Sequence, residues 1–328
     1  MELVVVNGSN AIARGVISKL AGKNYQKIRF LDYRPYRKSV YSLQRSLPAG
    51  VQLEKHQVQT HANLELALEG AKDVLYFTHD YFASSSDKNN FIQATAKVSK
   101  SHGVEKLIAV CPIEHELYWS EDKHTPFDVI EDAQQKALQN FDKLTILNTN
   151  LVFGRDSYLV HYMTQCAAAG RIPKSIGGSK SYEYKPVSSD DLTAAVESAL
   201  GKSSEVQGQR FSVNGEQGIT LNDLLHLIER QVGKDQGSTS LKGSLLGLGL
   251  SDYVEEFFTG ITHDKNMGRF AEYMDAHTPN LEGHSPDFHR KFGLAHKVKV
   301  QDYFGAKTIK ESDLVFPIFT DYKMVSLD

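Results

Sequence analysis

Across the first 150 residues, short β-branched runs alternate with helical patterns, and this rhythm narrows the fold more than any other feature of the chain. The run Leu3 to Val6 is followed by a helical pattern through Arg14 to Leu20 and then by the run Ile28 to Leu31. Runs at Val51 to Glu54, Val74 to Phe77, Leu107 to Val110 and Leu144 to Leu147 extend the series, with helical stretches over 64–68, 91–100 and 127–138 set among them. Strands separated by helices run parallel, because the helix is what returns the chain to the end it started from. The sequence therefore predicts an α/β fold, a Rossmann-type doubly wound parallel sheet with right-handed crossovers.

From about Leu151 the alternation loosens. The expected organisation is a dinucleotide-binding Rossmann domain over 1–150, its sheet completed by strands from 151–215, and a smaller mixed C-terminal lobe with a docking tail over 151–328. The stretch Ile172 to Lys185, rich in Gly, Ser and Lys, reads as a loop, and Asp190 and Asp191 stand where they would cap a helix over Leu192 to Leu200. Residues 241–261, with Phe257 and Phe258, are too apolar for an exposed loop and read as lobe core, partner interface or a face towards the bilayer. The tail from Phe316 onward reads as an arm that docks.

Composition excludes several classes. Lys and Arg number 37 against 40 Asp and Glu, so the formal charge of −3 provides no electrostatic footprint for nucleic acid. Two cysteines, Cys111 and Cys166, build neither a disulfide framework nor a thiolate zinc site, and Cys111 reads as a small buried hydrophobe. Among 13 histidines the densest groups, Glu114-His115-Glu116 and His284 with His289, lack ligand spacing backed by a second pair, so no metal is expected. No apolar run is long enough to span a bilayer. The chain opens directly on Leu-Val-Val-Val after Met1 and Glu2, which leaves no room for a cleavable presequence and would require an internal signal for organelle import.

The stretch Asn7-Gly8-Ser9-Asn10-Ala11-Ile12-Ala13-Arg14 joins the first strand to the first helix, where a dinucleotide fold sets phosphates against backbone N–H groups and the helix dipole. Its glycine pattern is degraded. A G-x-x-G-x-x-G register puts Gly8, Ala11 and Arg14 in the glycine places, whereas shortening the loop by one puts Ala13 third. Ala13 still permits close helix–strand packing and Asn10 tolerates positive φ, so nucleotide binding is expected in weakened form, with a vestigial turn as the alternative. At the end of the second strand, Asp32 suits the ribose hydroxyls of NAD(H), while Arg34 and Arg37 suit the 2′-phosphate of NADP(H). Thr78, directly after the run ending at Phe77, completes the candidate cofactor-binding set.

A reductase of the short-chain type needs a Tyr-x-x-x-Lys pair on the helix after the fifth strand, the lysine lowering the tyrosine's pKa so that it can deliver a proton. Between Trp119 and Leu138 there is no such pair, and the fourth residue after Tyr118 is Asp122.

Gly103-Val104-Glu105-Lys106-Leu107-Ile108-Ala109-Val110, then Leu144-Thr145-Ile146-Leu147, then Val152-Phe153-Gly154-Arg155-Asp156 resemble in order and spacing the Rossmann-type accessory subunits of mitochondrial respiratory complex I, alpha-subcomplex subunit nine, within the atypical short-chain dehydrogenase/reductases. Pro186-Val187 with Asp191, Asn280-Leu281-Glu282-Gly283 and Phe292-Gly293-Leu294 are similar to later segments of that family, so the resemblance runs from Leu3 to about Tyr303. Carried over from Phe141 backwards, the reductase tyrosine falls at Pro126, the lysine at Ile130 and the serine near Cys111. The resemblance implies a non-catalytic subunit that holds NADPH at the junction of peripheral arm and inner membrane, on the matrix side near the quinone site, with other complex subunits as partners and peripheral contact with lipid. Two alternatives stand beside it: a soluble NAD(P)H-binding redox sensor in the cytoplasm, and an active atypical NAD(P)H-dependent reductase or epimerase.

Overall fold

The computed structural model describes residues 1–8, 11–32, 43–57, 61–77, 85–112, 127–154, 183–231 and 285–306. Among these, seven strands form one parallel sheet in the order β3-β2-β1-β4-β5-β6-β9. They are β1 (Glu2–Val6), β2 (Lys27–Asp32), β3 (Gln52–Gln57), β4 (Asp73–Phe77), β5 (Lys106–Pro112), β6 (Leu144–Thr149) and β9 (Arg210–Val213). A separate parallel pair joins β7 (Val152–Phe153) to β8 (Val187–Ser188). Helices α1 (Ala11–Leu20), α2 (His61–Leu68), α3 (Ser85–Ser101), α4 (Phe127–Asn140) and α5 (Ser189–Gly201) cover the large sheet, followed by α6 (Ser203–Val206), α7 (Leu221–Gln231), α8 (Phe288–Phe292) and α9 (Val300–Ala306). The expected Rossmann-type doubly wound architecture is present.

Buried strands explain why the sequence reads as continuous apolar runs. Successive residues point to opposite faces, so each strand divides its side chains between two cores. Leu3, Val5, Phe30, Leu75 and Ile108 pack towards α1 and α5, while Val4, Val6, Tyr76, Leu107 and Ile146 pack against α2, α3 and α4. Shifting any strand by one residue would exchange the two sets, and the different shapes of the cores fix the register.

The helix over 192–200 is longer and is capped differently from the sequence expectation. Ser188, extended at φ −71° and ψ 149°, is the N-cap, and its hydroxyl accepts from the Asp191 backbone N–H at 3.0 Å. Asp190 and Asp191 sit inside the first turn, where the helix dipole favours carboxylates. Asp190 pairs with Lys19 of α1, and Asp191 turns inward to accept from the Lys297 backbone N–H at 2.9 Å. Both acids have other partners, which is why neither does the capping.

The seventh strand comes from the second half of the chain. The outer edge of β9 meets the segment before α8: Ser212 donates its backbone N–H to the Pro286 carbonyl at 3.1 Å and bridges to Asp287. Phe288 packs edge-on against Phe211 with ring centroids 5.2 Å apart, and Lys291 lies over the same ring. Asp287 caps α8 through Arg290 N–H, and Gly293, in the left-handed region at φ 63°, ends it. Of the loop expected over 172–185, Tyr184 is buried and forms an isolated bridge with Ile219; the rest up to 182 lies outside the described residues. Residues 241–261, the tail from Phe316, Cys166 and His284 also lie outside them. Among the described residues, no helix is long and apolar enough to cross a membrane.

Candidate functional site

The chain lays β1, β2 and β3 outward in one direction, then returns to place β4, β5 and β6 on the other side of β1. Open α/β sheets bind ligands beyond the carboxyl ends of the strands at such a reversal, here between β1 and β4.

Asn7 follows β1 in the left-handed region at φ 58°, 4 % exposed, and its backbone N–H donates to the Leu31 carbonyl at 2.9 Å. Asparagine is among the few side-chain-bearing residues that adopt this conformation at modest cost. Sequence reasoning gave that tolerance to Asn10 and missed Asn7; the signal available was an Asn between an all-apolar strand and a glycine. Gly8 follows because nothing larger fits. A Cβ there would lie 2.6 Å from Phe30 Cε2 and 2.9 Å from Val5 Cγ1. On the first turns of α1, Ile12 and Ala13 are buried and Arg14 is half-buried. Ala13 packs in the same core as Val5 and Phe30.

The other candidate positions divide. Ala11 is the first residue of α1 and Asp32 the last of β2, in register with Gln57. Ser9, Asn10, Arg34, Arg37 and Thr78 lie outside the described residues, although Thr78 directly follows β4.

At the ends of β5 and β6 stands a polar group that the sequence reading did not single out. Cys111, a buried thiol, is in register with Asn148. Asn148 exchanges hydrogen bonds with Gln134 of α4: Gln134 Nε2 donates to Asn148 Oδ1 at 2.8 Å, and Asn148 Nδ2 donates to Gln134 Oε1 at 3.2 Å. Gln134 is 4 % and Asn148 3 % exposed. Such a buried reciprocal amide pair fixes α4 against β6. Its signal was an asparagine ending the apolar run 144–147 and a glutamine on the helix face that also carries Ala133 and Ala137. Ile130, the carried-over lysine position, is half-buried one turn earlier on α4, and Pro126 and Tyr118 lie outside the described residues. Beside Asn148, Thr149 is fully buried, and its hydroxyl has no hydrogen-bond partner among the described residues. Asn150 Oδ1 accepts from the Leu151 N–H at 2.7 Å.

Gly154, at φ 128°, follows β7, and a Cβ on it would sit 2.7 Å from Ser189 Oγ at the start of α5. A glycine is what lets the turn after Phe153 approach that helix. For a metal there is less. Among the described residues no group of His, Cys, Asp or Glu is arranged to hold one, and His289 stacks on His296.

No protein-family model matches the chain, and no curated protein does. Solved structures match its fold. A dTDP-glucose 4,6-dehydratase from Streptomyces venezuelae, with NAD and TYD bound, is 15 % identical with a TM-score of 0.56, covering 71 % of this chain and 81 % of that one. A dTDP-glucose 4,6-dehydratase from Bacillus anthracis, in complex with NAD, is 17 % identical with a TM-score of 0.53, over 71 % of this chain and 81 % of that one. A nucleoside-diphosphate-sugar epimerase from Staphylococcus aureus is 11 % identical with a TM-score of 0.60 and covers 93 % of this chain and 99 % of that one. These likenesses show a Rossmann-type α/β fold. These neighbours also correct the expectation of a catalytically inactive chain: they are described as a dehydratase and an epimerase, so the fold points to enzymes. The physical error lay in reading one missing proton relay as missing chemistry; hydride transfer needs a proton donor or acceptor, not a particular one.

Proposed function

We propose that this protein binds a nicotinamide dinucleotide at the crevice between β1 and β4 and acts as an atypical oxidoreductase or epimerase, without the Tyr-x-x-x-Lys relay. The observation that carries this reading is the β1–turn–α1 unit at the strand-order reversal, with Asn7 left-handed, Gly8 too close-packed for a Cβ and Ala13 buried against the strand. The solved neighbours with NAD bound support the cofactor class.

The residues present fit such a group. The amino end of α1 offers backbone N–H groups and a positive dipole end to a pyrophosphate. Asp32, ending β2, would accept from ribose hydroxyls, and Arg34 and Arg37 would discriminate for a 2′-phosphate. When bound, the dinucleotide supplies hydride acceptance or donation. The chain's own part at β5 and β6 is to shape the floor: Gln134 and Asn148 lock α4 onto β6 beside Cys111, so the strand ends are held rigidly.

The test is fluorescence titration of the purified chain with NADH and NADPH, followed by a turnover screen with nucleoside-diphosphate sugars and simple carbonyl compounds. Saturable binding that Asp32→Ala or Arg34→Ala shifts between the two cofactors supports the reading. No binding of either at millimolar concentration would sink it.

A second reading concerns location and partners. The protein sits, on this reading, on the matrix side of the mitochondrial inner membrane as an accessory subunit of respiratory complex I, holding NADPH near the quinone site in contact with other subunits and peripherally with lipid. What supports it is the ordered run of similar segments from Gly103–Val110 through Val152–Asp156 to Phe292–Leu294. Native electrophoresis of solubilised mitochondria with mass spectrometry of each band decides it. Co-migration with the complex supports it, and a solely soluble cytoplasmic pool would replace it with the redox-sensor reading.

A further inference from the structure

Away from the dinucleotide crevice, the described fold buries a group of ionisable side chains that the proposed chemistry does not use. The segment 285–299, containing α8, presses onto the first turn of α5. His289 of α8 is 1 % exposed, and its ring stacks on that of His296 with centroids 4.5 Å apart and planes 27° apart. His296 Nδ1 lies 3.8 Å from Asp191 Oδ2, and the other oxygen of Asp191 accepts from the Lys297 backbone N–H. Asp191 is itself 1 % exposed.

The arrangement suits protons rather than a metal. Near-parallel stacked imidazoles direct their in-plane lone pairs side by side instead of towards a common point. Among the described residues, the charges facing the pair are Asp191 from α5, and Asp287 at the N-cap of α8, whose Oδ1 already accepts from Arg290 N–H. Asp190, the other acid of that turn, is engaged by Lys19. A proton on His289 would place a charge on a wholly buried ring stacked against the His296 imidazole. Burial first, and His296 next, accordingly hold the His289 imidazole below the usual histidine range.

We propose that His289, stacked on His296 beside Asp191, is a proton-operated latch, fastening residues 285–299 to α5 while its buried ring is neutral and releasing them when it takes a proton. The sign follows from linkage. With its pKa lowered in the closed form, His289 binds more proton when the segment is open, so the closed form loses ground as pH falls below the ordinary histidine value of about 6.5. One proton taken up on opening multiplies the opening constant by about ten for each pH unit, down to the lowered closed-state value. Release would also withdraw Pro286 from the edge of β9 and Phe288 from Phe211, so the change would be felt beyond the latch.

Hydrogen exchange with mass spectrometry on the full chain tests this, at pH 7.5, 6.5 and 5.5 and corrected for intrinsic exchange. Peptides from 285–299 should lose protection about tenfold per pH unit below 6.5, while peptides from β5 hold theirs. His289→Phe, which keeps a ring in the stack and removes its titration, should flatten that slope. A flat profile in the unaltered chain, or an equal slope in H289F, overturns the latch. Should H289F not fold, NMR of selectively carbon-13-labelled histidines in the unaltered chain decides, with His296→Gln assigning the signals. The latch requires His289 to remain neutral until segment 285–299 opens. Titration of His289 near pH 6.5 with the segment still protected refutes it.

Discussion

Replacing Gln134 by Met or Asn148 by Leu removes one half of the buried amide pair while roughly keeping side-chain volume. The partner amide is then stranded at 3–4 % exposure with its donor and acceptor unmet. A stranded buried polar group costs about 1–3 kcal/mol, and the lost hydrogen bonds add about 1 kcal/mol, so each single change should destabilise by about 2 kcal/mol or somewhat more. The double change Gln134→Met/Asn148→Leu leaves no orphan, and should cost about 1–2 kcal/mol instead of the sum of about 4. Urea unfolding followed by far-ultraviolet circular dichroism measures all four corners of the cycle, and equal m values across them make the midpoint shifts comparable. Single costs that simply add, to within about 0.5 kcal/mol, would refute the claim that the two amides depend on each other.

Gly8→Ala forces a Cβ to within 2.6 Å of the Phe30 ring, and overpacking of this kind should cost about 1–3 kcal/mol and weaken dinucleotide binding, read by thermal unfolding and NADH fluorescence. Ser188→Ala removes the hydroxyl that caps α5 and should lower stability by about 1 kcal/mol in chemical denaturation without shifting the cofactor preference. Lys27, ahead of His56, holds the Glu54 carboxyl down to about 2, so its stabilisation is present above about pH 4.5 and is lost as pH falls towards 2. The pair is well exposed, so Glu54→Gln should cost under about 1 kcal/mol at neutral pH and make acid unfolding over that window less steep.

The sheet was legible because β1, β4, β5 and β6 are buried on both faces, and such strands leave continuous apolar runs. The short strand Arg210–Val213 was legible only as one of the strands expected from 151–215 to complete the sheet, since four residues carry little pattern and its membership depends on β6 lying alongside. Asp190 and Asp191 resembled caps because acids before an apolar run often are, yet the turn begins at Ser188, whose extended backbone follows from its place in β8. At the site, the β1–α1 turn could be read locally, whereas the pairing of Gln134 with Asn148 joins a helix to the next strand and appears only when the two are packed. His289 and His296 are linked by the left-handed turn at Gly293, which brings together rings that seven positions of sequence separate.

The covering of β9 by residues 285–287 also has a consequence for how the chain is made. Ser212 finds its partners on the Ser285–Asp287 segment, and its hydroxyl reaches the Ser285 carbonyl across 73 positions of sequence. At about 5–20 residues per second, a ribosome needs roughly 4 to 15 s to add that stretch. Throughout that interval the nascent sheet presents an uncapped border, able to pair with any extended strand nearby. Attendance by a chaperone during this interval, rather than any weakness of the finished fold, would then govern how much of the newly made protein escapes aggregation.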